Sequence, residues 1–157
     1  MKLLLRITIL LFALLGFLTS AQATLPIEQL EPINGAKAYL VQTKSLPMVD
    51  IEVSIDAGDR YDPAGKSGLA DLTASLMNYG VRGEKSILSE AQIADEIADL
   101  GANFSLSVSG ERAILRIRSL SRKDLRDRAV ELAAAMISAP TYDANIVARE
   151  KQRTITS

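Results

Sequence analysis

The stretch Val49-Asp50-Ile51-Glu52-Val53-Ser54-Ile55-Asp56 alternates apolar with polar residues without a break. A period of two places Val49, Ile51, Val53 and Ile55 on one face of an extended chain and the acidic residues and Ser54 on the other. The segment is therefore predicted to be a half-buried β-strand. Two later segments repeat the pattern. Phe104, Leu106 and Val108 alternate with Ser105, Ser107 and Ser109, and beyond Gly110-Glu111 the residues Ala113, Leu115 and Ile117 alternate with Ile114, Arg116 and Arg118. The short Gly-containing link predicts a hairpin. Strands with one apolar face have to bury it, and in this chain the cover has to come from helices.

Four segments supply them. Ser67 to Gly80 follows the turn Asp62-Pro63-Ala64-Gly65 and carries Leu69, Leu72, Thr73, Leu76 and Met77 at i, i+3, i+4, i+7 and i+8, one buried stripe. Gly80 is its expected C-terminal stop. A second row on the same helix, Asp71, Ala74 and Ser75, has the i, i+3, i+4 spacing that gathers three side chains on one patch. Val81 to Leu88 reads as a charged loop. Ser89-Glu90-Ala91-Gln92 is a capping-box pattern, and it opens a helix striped by Ile93, Ile97 and Leu100 and ended by Gly101. Ser121 is placed to cap a third helix whose inner face is Leu125, Ala129, Leu132, Ala133 and Met136, ended by Ala139-Pro140. Asp143 is placed to cap a fourth, from Ala144 onward, rich in Arg149, Glu150, Lys151 and Arg153.

Residues 24–32 read as a polar lead-in bracketed by Pro26 and Pro32. Asn34-Gly35 is a turn signal, and Ala36 to Thr43 a first short strand, broken by Ser45-Leu46-Pro47 and expected to pair antiparallel with the strand at Val49. The order β-β-α-α-β-β-α-α predicts an α+β fold of antiparallel strand pairs packed against helices, incomplete at the C-terminus because the chain stops inside its last helix.

The first 23 residues stand apart. Lys2 and Arg6 precede a predominantly apolar run from Ile7 to Leu18, and Thr19-Ser20-Ala21-Gln22-Ala23 then supplies the small residues of an A-x-A cleavage site. The run falls short of the roughly 20 residues that a bilayer-spanning helix needs. Residues 1–23 are therefore expected to be a signal peptide, the protein exported, to a bacterial periplasm, with no stable membrane anchor after cleavage. The whole chain has 157 residues, 48% hydrophobic and 24% charged, enough apolar content for a folded body. Its net charge of −1 gives no general attraction to nucleic acid. There is no Cys and no His. Disulfides, Ser-His-Asp and Cys-His catalysis and imidazole-based metal sites are thereby unavailable within these residues.

From about Ile33 onward the chain resembles the pitrilysin/insulinase superfamily, the inverted-zincin metallopeptidases. The residues that carry the likeness are Asn34 to Val41, Leu46-Pro47-Met48-Val49, the run Ala57-Gly58-Asp59-Arg60-Tyr61-Asp62-Pro63-Ala64-Gly65-Lys66-Ser67-Gly68-Leu69-Ala70, then Leu100-Gly101-Ala102, Ala139-Pro140 and Ala148-Arg149-Glu150-Lys151. The resemblance implies a domain over residues 33–157 that pairs with a second, similar one around a chamber. It also implies His-x-x-Glu-His on the helix that begins at Gly68, with a third metal ligand, a Glu, on the last helix. Laid on this chain, Asp71 takes the first His position, Ala74 the Glu, Ser75 the second His, and Ser157, seven residues beyond Glu150, the third ligand. Two imidazoles one turn apart form two legs of a tetrahedral zinc site, and the carboxylate beside them takes a proton from bound water. None of those groups is present, so zinc is not expected in this chain, and no catalytic residue is assigned.

The resemblance therefore points to a non-catalytic subunit that shapes the chamber and helps bind extended peptide for a homologous zinc-bearing peptidase subunit, as a heterodimer. Two other readings stay open: a stand-alone peptide-binding or scaffold protein, and a fragment of a longer zinc metalloendopeptidase whose working site lies downstream. In the family the strand corresponding to Asn103–Ser109 is an edge that binds substrate as an added strand, which makes Asn103, Phe104, Ser105, Leu106 and Ser107 candidate contacts. The competing view is an ordinary hairpin strand with its serines in solvent. Asp71 reads more simply as a solvated carboxylate, Ser75 as a small polar spacer and Glu150 as an ion-paired surface residue.

Overall fold

The computed structural model describes residues 25–83 and 86–156. Residues 1–23, expected to be a signal peptide, and Ser157 lie outside them. The described chain forms two compact units that divide after Ser45.

The first unit is a hairpin of β1 (Ile27–Ile33) and β2 (Ala36–Val41), antiparallel with Glu28 opposite Leu40 and Leu30 opposite Ala38. Asn34 and Gly35 connect them, both with positive φ, 51° and 84°. That pair of left-handed residues is the requirement of a type I′ turn, which matches the twist of the strands it joins. Two expectations are corrected here. Residues 27–32 of the lead-in form a strand together with Ile33, because the Asn-Gly turn folds β2 back on the residues before it. The partner of β2 is therefore β1, not the strand at Val49.

That strand, β3 (Met48–Ile55), belongs to the second unit, in a three-stranded antiparallel sheet of order β3-β7-β6 with β6 at Asn103–Ser109 and β7 at Arg112–Leu120. Charge sets the register. Asp50 lies opposite Arg118 and Glu52 opposite Arg116, and Arg118 Nε donates to Asp50 at 2.6 Å, Arg116 Nε to Glu52 at 2.9 Å. Opposite charges facing each other across a pair favour it, and a shift by one residue would bury them. On the other face β7 buries Ala113, Leu115, Ile117 and Ser119.

The helices cover that face. α1 is Leu69–Leu76, α2 Glu90–Asp99, α3 Lys123–Ser138 and α4 Ala144–Thr156. The core joins Leu115 and Ile117 to Ile93 of α2 and to Ala129, Leu132, Ala133 and Met136 of α3. Ser89 caps α2 in a full capping box with Gln92, and Asp143 accepts from the backbone N–H of Asn145 at 2.9 Å to start α4. Ser121 does not cap α3; its N–H donates to the Pro47 carbonyl, and no side chain caps that helix. Residues 81–82 and 87–88 are also strand rather than loop. Between α1 and α2, β4 (Gly80–Arg82) pairs with β5 (Ile87–Ser89), and Val81 is fully buried. Gly80 thus opens a strand instead of ending α1. The observed architecture is α+β with antiparallel pairs and four helices, as the alternation and periodicity predict, with β1, β4 and β5 added to the predicted order. Among the described residues no helix is long and apolar enough to cross a membrane.

Two contacts fix α1. Gly58 lies against the β6–β7 turn, its N–H donating to the Glu111 carbonyl at 3.1 Å. A Cβ there would stand 2.1 Å from the Gly110 oxygen, so only glycine permits the approach. The chain then makes a short 3₁₀ turn at Asp59–Tyr61. Beyond it, the Asp62 carboxylate accepts from the N–H groups of Gly68 at 2.7 Å, Leu69 at 3.1 Å and Ala70 at 3.0 Å. A carboxylate at a helix N-terminus satisfies amides with no partner inside the helix and complements its dipole. Gly68, the N-cap itself, has no side chain to do so.

α4 packs against α1, and Glu150 anchors it. Glu150 is only 6% exposed, which corrects the reading of it as a surface residue. Arg149 Nε donates to it at 2.8 Å and Arg153 at 3.3 Å. The Arg149 guanidinium stacks 5.0 Å from the centre of the Tyr79 ring, just beyond α1. The Arg149 hydrogen bond holds the Glu150 carboxyl below its ordinary value of 4.5, helped by the charge of Arg153 and opposed by burial.

Replacing Asp62 by Ala is expected to cost about 1–2 kcal/mol in urea unfolding, the scale of a lost cap with charge-assisted hydrogen bonds. Ionised Glu150 stabilises the fold above pH 4.5, and that contribution is lost as the pH falls through its depressed folded-state pKa. Stability measured between about pH 5 and pH 3 is accordingly expected to fall less steeply in Glu150→Gln than in the wild type.

Candidate functional site

α1 offers one face to the sheet and another to solvent, and the row Asp71, Ala74, Ser75 lies at the boundary. Asp71 and Ser75 are exposed, whereas Ala74 is 7% exposed and faces inward. Ala74 and Leu76 are the buried residues of α1, on roughly opposite sides of the helix. Leu69, read as part of the buried stripe, is 42% exposed. The rest of that stripe is covered, Leu76 fully and Leu72, Thr73 and Met77 in part, where the helix meets β6, the 3₁₀ turn and α4.

Beside this row is a cleft of about 480 Å³. Asp71, Ala74, Ser75 and Asn78 form one wall, Leu106, Ser107 and Val108 of β6 the other, and Thr154 of α4 closes an end. β6 is an outer strand of its sheet, paired with β7 alone among the described strands. A line of main-chain groups thus borders the cleft on the side away from β7. On the far side of Ala74 lies a second, apolar cavity of about 460 Å³, lined in part by Tyr61, Leu69, Met77 and Ile137.

The cleft brings Asp71, Ala74 and Ser75 together with Leu106 and Ser107. It does not include the other candidate peptide contacts. Asn103 and Ser105 border a separate hollow on the outer face of the sheet with the Asp50–Arg118 and Glu52–Arg116 pairs, and Phe104 packs half-buried against the core. Asn78, Val108 and Thr154 line the cleft without being singled out by the sequence. Asn78 continues the helical row at i+7 from Asp71 and was in principle legible. Thr154 comes from a distant helix and was not.

The donor set does not suit zinc. Asp71 brings one carboxylate and Ala74 none. The Ser75 hydroxyl donates to the Leu72 carbonyl at 2.9 Å and is a poor zinc ligand in any case. Asn78 Nδ2 donates to the Ser75 carbonyl at 3.2 Å. The acceptors facing the cleft from this side are the Asp71 carboxylate, Ser75 Oγ and Asn78 Oδ1. Among the described residues no group of three or more His, Cys, Asp or Glu side chains is placed to hold a metal ion.

Comparison with known proteins places this arrangement. The structure is similar to the peptidase M16 inactive domain from Pseudomonas fluorescens, with a TM-score of 0.74 and 32% identity over 82% of this chain. It also shares the fold of a protease from Helicobacter pylori, with a TM-score of 0.67 and 19% identity over 82% of this chain. The chain spans 30% of the length of each. Curated protein sequences give no significant match. A sequence model described as Insulinase (Peptidase family M16) matches residues 37–157. The chain belongs to the insulinase family, peptidase family M16, and lacks that family's His-x-x-Glu-His motif.

Proposed function

We propose that this protein is a non-catalytic, peptidase-like subunit, exported to a bacterial periplasm, that shapes a chamber and holds extended peptide for a homologous zinc-bearing partner. One observation carries the reading: the outer strand β6 borders a cleft whose helix wall has the spacing of a metal site and none of its nitrogen donors. Peptide capture by strand addition needs unpaired main-chain N–H and C=O groups and asks little of side chains, so it is independent of the metal. Catalysis needs imidazole ligands and a general base, and Asp71, Ala74 and Ser75 supply neither. The likeness to an inactive domain from Pseudomonas fluorescens supports the same division of labour.

The peptide role is checked by hydrogen exchange. Saturating unstructured peptide is expected to slow exchange at alternate amides of Asn103–Ser109, those that point away from β7, by about tenfold or more, while leaving α3 unchanged. Uniform exchange rates with and without peptide overturn strand addition. The partner role is checked by mixing the full-length protein with a homologous subunit that bears His-x-x-Glu-His. A heterodimer on gel filtration, one zinc per pair and peptidase activity above that of the partner alone are expected. A protein that stays monomeric in the mixture refutes the partnership, and stoichiometric zinc in the isolated protein refutes the non-catalytic assignment.

A further inference from the structure

The cleft beside β6 has a defined chemical character. Asp71 is the one charged side chain among the residues that line it. Beside it, Ser75 uses its hydrogen on the Leu72 carbonyl and Asn78 one of its two on the Ser75 carbonyl, which leaves Ser75 Oγ and Asn78 Oδ1 as acceptors. On α4, Arg149 and Arg153 pair with Glu150. On the opposite face of the sheet the arginines of β7 are already paired, Arg116 with Glu52 and Arg118 with Asp50. The two faces of β6 therefore differ, one bordering a cleft with a single negative charge, the other carrying a balanced ladder of ion pairs.

A strand added along β6 sends successive side chains to opposite faces. Those on the helix side fall toward the exposed row of α1, where Asp71, Ser75 and Asn78 stand at i, i+4 and i+7. Lysine and arginine side chains have only donors to offer, and their long apolar stems suit a wall of Leu72, Leu106 and Val108.

We propose that this cleft selects a lysine or arginine side chain of the captured strand, with Asp71 as the counter-charge and Ser75 Oγ and Asn78 Oδ1 as further acceptors. The position that would hold a metal cation in a zinc-bearing homologue then takes a cationic side chain of the peptide. The inference rests on the strand-addition reading and gives it a sequence preference: a basic residue at one helix-facing position of the peptide.

The test measures binding of two unstructured peptides to the full-length protein by fluorescence anisotropy at low salt. The peptides are identical except that one carries Lys and the other Gln at alternate positions. The Lys peptide is expected to bind about three- to tenfold more tightly, the range of a partly desolvated ion pair with added hydrogen bonds. Asp71→Asn is expected to bring the two peptides to parity, and Asp71→Glu to keep the preference. Asp71 is exposed, so the thermal midpoints of both variants should match the wild type. Equal affinities in the wild type, or a preference that survives Asp71→Asn, overturn the selective cleft and leave strand addition standing. Binding of neither peptide overturns both.

Discussion

The second unit depends on a single strand. β7 lies between the two outer strands of its sheet, and its alternating residues meet opposite demands. Ala113, Leu115, Ile117 and Ser119 go inward under α2 and α3, while Arg112, Arg116 and Arg118 go outward to Ser54, Glu52 and Asp50. Hydrophobic burial supplies most of the stabilisation. The ion pairs are exposed and individually worth little. Their value lies in the register: sliding β3 by one residue against β7 would carry Asp50 and Glu52 to the apolar face, and burying two carboxylates beside Leu115 and Ile117 is prohibitive.

Elements with a clean period were legible in the sequence. β3 and β6 alternate cleanly, β7 does so apart from Ile114 and its Ser119-Leu120 end, α3 keeps its apolar face at helical spacing, and the Ser89–Gln92 box starts α2 where its side chains require. The hairpin β1–β2 shows the limit. Pro26, Pro32 and the charged Glu28 and Glu31 dilute the strand pattern, and an Asn-Gly turn does not announce which flanking strand it serves. Pairing is a long-range decision, and the strand at Val49 found its complement in arginines more than sixty residues away. Val81, fully buried in what reads as a charged loop, is a similar case: a single apolar residue has no period to reveal it.

The candidate site was half legible. Helical spacing alone grouped Asp71, Ala74 and Ser75, and alternation identified β6. That the helix and strand line the same cleft is a tertiary fact, as is the arrival of Thr154 from α4. Glu150 was misjudged for the same reason. A glutamate among Arg149, Lys151 and Arg153 looks like a solvated helix face until α1 and Tyr79 cover it. Its burial is tolerable because two guanidinium groups reach it, whereas a lone buried carboxylate would be strongly destabilising.

The close seat of Gly58 on the β6–β7 turn has a wider meaning. Gly58 and Asp62 are two of the residues by which the family is recognised, and neither has chemistry to perform. One is dictated by a backbone contact that excludes any side chain, the other by three amides that need an acceptor. Requirements of that kind persist whether or not a metal is ever bound. In this chain the family's signature is therefore written in the joints of the scaffold, where a close backbone seat and three amides each admit one kind of residue.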